Sequence, residues 1–224
     1  MPSPTIVFDL DGTLIDTAPD LVATLNWVLA REGLPPLAYD DARTLIGGGA
    51  KAMIARGLKH ESIDPNQDQI ERMFADFLAY YSEHIADRSR PFPGLERALD
   101  HFTARGFRLA VCTNKLEGLS VKLLNALGLT KRFAAICGQD TFGVQKPDPE
   151  VLRRTIAAAG GDARRAVMVG DSQTDILTAR GAQVPVIAVS FGYSERPVAE
   201  FEPDRLIGHF DLLAAAVDGV LPAK

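Results

Sequence analysis

The sequence predicts an α/β protein: a doubly wound parallel sheet interrupted near its start by an all-helical insert. Three observations carry this expectation. Short, nearly continuous apolar runs recur at residues 5–8, 107–112, 133–137, 166–169 and 184–189. Amphipathic helical segments alternate with the later runs, as a sheet buried on both faces requires. Between about residues 15 and 87, by contrast, the apolar period stays near 3.6 residues and strand signals are absent.

Taken in order, Thr5 to Phe8 reads as a buried first strand that breaks at Asp9 to Thr13, where Gly12 permits a tight turn. Thr17-Ala-Pro-Asp20 supplies an N-cap, an early helical proline and an acid in the first turn. The helix it opens carries Leu21, Leu25, Val28 and Leu29 and ends by Gly33. A three-glycine turn at Gly47 to Gly49 leads into a short helix, and Ile70, Met73, Phe74, Phe77, Leu78 and Tyr81 form one helical stripe. Arg90-Pro-Phe-Pro-Gly94 closes the insert. Helices then alternate with strands to the end of the chain, giving a Rossmann-like core of residues 1–14 and 88–224 with a helical cap of residues 15–87.

Composition bounds the function. At 224 residues, 46% apolar, the chain has material for a sizeable core and a smaller inserted unit. The formal charge of −5, with no basic tract, argues against nucleic acid as a partner. The N-terminus has neither a basic segment nor a long apolar run, so a cytoplasmic protein without membrane contact is expected. Cys112 and Cys137 lie inside apolar strands and read as buried thiols. The four histidines lack ligand spacing, which argues against a histidine metal site.

In doubly wound sheets, ligands sit beyond the carboxyl ends of the strands. Four polar clusters fall at such places or at the start of the following helix. The first is Asp9-Leu-Asp-Gly-Thr13. One aspartate would suffice for a turn, whereas two carboxylates about 4 Å apart repel by roughly 4 kcal/mol at an effective dielectric near 20 and call for a cation. Thr113-Asn114 follows the strand ending at Cys112 and offers neutral hydrogen-bond donors suited to phosphoryl oxygens, or simply a helix cap. In Gln145-Lys-Pro-Asp-Pro149, Pro147 restricts the backbone of Lys146 and so fixes the direction in which its ammonium leaves. In Gly170-Asp-Ser-Gln-Thr-Asp175, two further acids stand one helical turn apart. An oxygen-rich group of this kind suits a hard cation, Mg²⁺ above others. Such a set can bind and polarise a phosphoryl group, with one carboxylate attacking phosphorus and another moving the proton.

The order of these four motifs resembles that of the haloacid dehalogenase-like superfamily, its phosphatases in particular. The resemblance implies that Asp9 is the nucleophile and a metal ligand, and that Asp11 is the acid/base and a ligand through its main-chain carbonyl. It implies that Thr113, with Asn114, binds the transferring phosphoryl group, while Lys146 holds nucleophile and phosphate together. Asp171 would complete the Mg²⁺ ligands and Asp175 would support them from beside. Gly33-Leu-Pro-Pro36, Leu45-Ile-Gly-Gly-Gly49, Arg56-Gly-Leu58 and Gly192-Tyr193 are similar to segments of bacterial phosphoglycolate phosphatases, which implies hydrolysis of 2-phosphoglycolate to glycolate and phosphate.

The expected enzyme is therefore a capped, Mg²⁺-dependent phosphatase of a small phosphate monoester, monomeric or homodimeric. A phosphomutase or a pyrophosphatase could use the same acids, and a receiver-like phosphoacceptor module is the non-enzymatic alternative. The seventy-residue insert speaks for a lid over a reaction centre, with hinges near Ile15 and at Arg90 to Gly94. Lys51 and Arg56 are both candidates for a substrate carboxylate. The glycine turn reads either as a simple connection or as backbone amides offered to the substrate.

Overall fold

The structure is a computed structural model and describes residues 3–194 and 196–221. Strand β1 (Ser3–Phe8) is followed by a two-residue strand β2 (Ile15–Asp16) and four helices: α1 (Ala18–Arg31), α2 (Tyr39–Thr44), α3 (Ala50–His60) and α4 (Gln67–Glu83). The chain returns through β3 (Arg90–Pro91), α5 (Leu95–Ala104), β4 (Arg108–Cys112), α6 (Glu117–Ala126) and β5 (Ala135–Cys137). It continues with α7 (Pro149–Ala158), β6 (Gly161–Gly170), α8 (Gln173–Ala182), β7 (Val186–Val189), β8 (Arg205–Ile207) and α9 (Leu213–Asp218).

Six strands form a parallel sheet in the order β5-β4-β1-β6-β7-β8. β1 is central because Ile6, Val7 and Phe8 are wholly buried and alternate between the two faces. Ile6 and Phe8 join the layer of α5, α6 and α9 through Leu99, Phe102, Leu124 and Leu213. Val7 joins the layer of α7 and α8 through Leu152, Ile156 and Ile176. The doubly wound α/β fold expected from the apolar runs is thus present. The chain moves from β1 to β4 on one side and later crosses to β6 on the other, so strand order reverses at β1. That reversal opens a crevice at the carboxyl edge.

The helical stripe on α4 packs inward, with Ile70, Met73, Phe77 and Tyr81 buried among the side chains of α1 and α3. The two connections to this helical layer pair with each other as the ribbon β2–β3, Ile15 opposite Pro91 and Asp16 opposite Arg90. Asp20 ties the same junction from α1. Its buried carboxylate accepts from the backbone N–H groups of Arg88 and Ser89 and from the Ser89 hydroxyl at 2.6 Å.

Some boundaries differ from expectation for local reasons. Phe133 lies outside β5 because its N–H closes a turn onto Thr130 O. β6 starts earlier than the apolar run does, since Gly161 pairs with Ser3 at its amino end. Thr17 precedes α1 as expected but makes no side-chain cap. Cys112 and Cys137 are free, buried thiols in register on adjacent strands. Among the described residues no helix is long and apolar enough to cross a membrane.

Candidate active site

Register places the polar clusters together. Phe8 is level with Val111 of β4 and Val169 of β6, so the residues that end these strands share one edge. Asp9 leaves β1 with its N–H bonded to Val169 O at 2.9 Å. Thr113 leaves β4 with its N–H on Cys137 O at 3.0 Å. Asp171 follows β6, and Asp175 sits at the third position of α8, where it forms a reciprocal capping box with Ser172. A Cβ on Gly170 would come within 2.4 Å of the Asp175 side chain, so glycine is what lets strand and helix start approach. At Gly12, φ is +82° and a Cβ would lie 2.4 Å from Asp171 Oδ2.

Two ammonium groups pair with three of the four carboxylates. Lys146 Nζ stands 2.9 Å from Asp9 Oδ1 and 2.6 Å from Asp175 Oδ1. Lys115 Nζ stands 3.0 Å from both oxygens of Asp11, and Thr17 Oγ1 donates to the same carboxylate at 2.7 Å. Thr17 thus serves Asp11 in place of its own helix. Asp171 accepts from Thr13 Oγ1 at 3.1 Å and from the Tyr193 N–H at 2.8 Å. The second oxygen of Asp175 accepts from the N–H groups of Asp171 and Ser172 and from Ser172 Oγ.

Asn114 is placed differently from the simplest expectation. Its side chain clamps the backbone of Lys146, Nδ2 donating to Lys146 O at 3.0 Å and Oδ1 accepting from Lys146 N at 2.9 Å. One N–H of the amide remains for another acceptor. The clamp aims Lys146, whose side chain is almost wholly buried.

Burial governs the charges. It pushes the Asp9 carboxyl up to about 6, with Lys146 opposing and Asp175 and Asp11 adding to the rise. It pushes Asp171 up to about 8, reinforced by the charges of Asp175 and Asp9 and offset only in part by Tyr193 N–H and Thr13. For Lys146 burial disfavours the charged form, yet Asp175 and Asp9 outweigh it and hold the ammonium well above the ordinary lysine range. Lys115 is held up in the same way by Asp11 and Tyr81.

Two ammonium ions against four carboxylates leave an excess of buried negative charge. Oxygens of Asp9, Asp171 and Asp175 lie within 4.8 Å of one another. An all-oxygen donor set with unbalanced negative charge fits a hard divalent cation. Among the described residues Asp175 accepts from four protein donors, against two on Asp171 and two on Asp9, so Asp9 and Asp171 are the better placed ligands.

A cavity of about 240 Å³ rises from these groups to the helical layer and is lined by Gly47 to Gly49, Met53, Phe77 and Tyr81. Gly47, Gly48 and Gly49 all have positive φ. Arg56 braces their turn by donating to Leu45 O and Gly47 O, and Lys51 pairs with Glu71 at the exposed surface. Lys115 has no place among the sequence expectations. Nothing in its spacing marks it beyond its position directly after Thr113-Asn114, because its direction depends on Tyr81, whose ring centroid is 4.5 Å from its ammonium.

The model of the haloacid dehalogenase-like hydrolase family matches residues 6–189. The chain belongs to that family. Among curated relatives of this hydrolase, a phosphoglycolate phosphatase of Mesorhizobium japonicum is 51% identical over 95% of this chain and 94% of its own. One from Agrobacterium fabrum is 47% identical over 99% and 95%. Among solved structures, one described as a predicted phosphoglycolate phosphatase of Haemophilus somnus is 29% identical, with a TM-score of 0.88 over 96% of this chain and 98% of that one. CbbY of Rhodobacter sphaeroides, solved in complex with phosphate, is 26% identical, with a TM-score of 0.80 over 97% and 100%. This haloacid dehalogenase-like hydrolase is accordingly a phosphatase-like enzyme, and its acidic triad is consistent with a divalent-metal site of the kind typical of that family.

Proposed function

We propose that the enzyme hydrolyses 2-phosphoglycolate to glycolate and phosphate through an aspartyl phosphate on Asp9. The observation that carries the chemistry is the buried Asp9 at the end of β1, paired at 2.9 Å with Lys146 on the floor of the cavity. The substrate reading rests on the relatives that bear that name at up to 51% identity over nearly the whole chain.

Asp9 Oδ1 is occupied by Lys146 and by the N–H of Leu10 at 2.7 Å, whereas Oδ2 has no hydrogen-bond partner among the described residues. Oδ2 attacks phosphorus as the ester P–O bond breaks. Asp11 then gives a proton to the leaving oxygen, and afterwards takes one from the water that cleaves the acyl phosphate. Lys146 neutralises Asp9 and the transferring group, and Thr113 with the remaining N–H of Asn114 donates to phosphoryl oxygens. Asp9, Asp171 and the main-chain carbonyl of Asp11, with Asp175 beside them, would hold Mg²⁺, which when bound would supply charge neutralisation at the phosphoryl oxygens. Residues 15–87 act as the cap that closes over this centre, with residues 1–14 and 88–224 as the catalytic core.

The test is phosphate release, with Mg²⁺ or with chelator, from 2-phosphoglycolate, a hexose phosphate and pyrophosphate. Preferred, metal-dependent release from 2-phosphoglycolate is expected. An isomerised sugar phosphate without free phosphate, or preference for pyrophosphate, would overturn the reading.

A further inference from the structure

The active site holds a second buried lysine that phosphoryl transfer does not require. Lys115 leaves the loop after β4 only 8% exposed, with its ammonium between Asp11 and the ring of Tyr81 on α4. Asp11 is already hydrogen-bonded by Thr17 at 2.7 Å, so orienting that carboxylate does not by itself demand a buried cation. Three other cations at or beside the cavity have structural duties. Lys51 pairs with Glu71, Arg56 holds the glycine turn, and Arg196 pairs with Glu200.

We propose that Lys115 is the residue that recognises the carboxylate of the substrate, an inference that rests on the 2-phosphoglycolate reading. In that ester the carboxyl carbon is two bonds from the oxygen that leaves phosphorus. Asp11 protonates that oxygen, and Lys115 Nζ stands 3.0 Å from both Asp11 oxygens. A carboxylate two bonds away can therefore turn to within about one hydrogen-bond length, roughly 3 Å, of the same ammonium. An ammonium has three N–H donors, so Lys115 can hold Asp11 and the substrate carboxylate together. The Tyr81 ring confines the ammonium on its other side, so a single orientation of the leaving group is selected. An ester with an uncharged leaving group gains nothing there, while its phosphoryl group is still gripped by Lys146. The same placement links the cap to specificity, because Tyr81 comes from α4 and Lys115 from the loop after β4.

The test compares wild type, Lys115→Met and Lys115→Arg on 2-phosphoglycolate and on ethyl phosphate, which has the same chain length without the carboxylate. Removing a charged hydrogen bond should lower kcat/KM for 2-phosphoglycolate by roughly 10- to 100-fold more than for ethyl phosphate, mainly through KM. Lys115→Arg should recover part of the difference. Equal losses on both esters would mean that Lys115 acts only through Asp11, and would overturn the proposal. If Lys115→Met is inactive on both, glycolate inhibition of ethyl phosphate hydrolysis by wild type and Lys115→Gln decides. A higher inhibition constant in the variant supports the proposal, and an unchanged one refutes it. A wild type that does not prefer 2-phosphoglycolate over ethyl phosphate would instead remove the substrate reading itself, before any variant is compared.

Discussion

Without a divalent ion the protein should lose stability as pH rises from about 4 to about 8, and Mg²⁺ should remove most of that loss. In the unfolded chain Asp171 ionises near its ordinary value of 3.8, whereas in the fold burial and the neighbouring charges of Asp175 and Asp9 carry it to about 8. The folded state therefore binds more protons across this window. Its stability is full below the lower value and is lost as pH passes through the upper one. Asp9, carried up to about 6 chiefly by burial, acts with the same sign between about 4 and 6. At about 1.4 kcal/mol per unit the Asp171 displacement is worth on the order of 5 kcal/mol, and water entering the cleft reduces this, so a fall of about 2 to 5 kcal/mol is expected. A cation that binds the ionised carboxylates restores the loss by mass action. Urea unfolding at pH 5, 6.5 and 8, with chelator and with Mg²⁺, reads this directly, and Asp171→Asn should flatten the chelator curve. Equal stability at pH 5 and 8 without metal, together with no gain from Mg²⁺ at pH 8, would refute the reasoning.

Asn114→Ala removes both hydrogen bonds that clamp the Lys146 backbone. It should cut kcat roughly 10- to 100-fold, at about 1 to 1.5 kcal/mol per bond, while steady-state kinetics show the metal requirement unchanged. Tyr193→Phe deletes the hydroxyl that donates to Asp16 at 2.5 Å and accepts from the Ala18 N–H at 3.0 Å. Thermal unfolding should show a loss of about 1 to 3 kcal/mol, because the Ala18 N–H is left buried without an acceptor. Gly12→Ala places a methyl group 2.4 Å from Asp171 Oδ2 at a φ of +82°. A phosphate-release assay should find its activity nearly abolished, and Mg²⁺ titration should find its metal affinity weakened.

The motif residues and the sheet were legible because each strand is an unbroken apolar run and each cluster falls where such a run stops. Asp9, Thr113 and Asp171 follow Phe8, Cys112 and Gly170, and parallel register does the rest. β8 escaped notice because it has only three residues, two of them, Arg205 and Leu206, exposed at the sheet edge. The ribbon β2–β3 escaped because two residues on each side carry no periodicity, and its partners are distant in sequence, Ile15 opposite Pro91. Thr17 reads locally as a helix cap, yet tertiary placement turns its hydroxyl to Asp11. Lys115 and the Asn114 clamp were out of reach for the same reason. Their roles depend on Tyr81, Asp11 and Lys146, which other parts of the chain bring to them.

The central claim is that Asp9 carries the phosphoryl group between substrate and water. Replacing the proton donor by Asp11→Asn should slow breakdown of the acyl phosphate, so rapid quenching followed by peptide mass mapping can locate the intermediate. The account predicts one added phosphoryl group on Asp9. A phosphoryl group on any other side chain would contradict it.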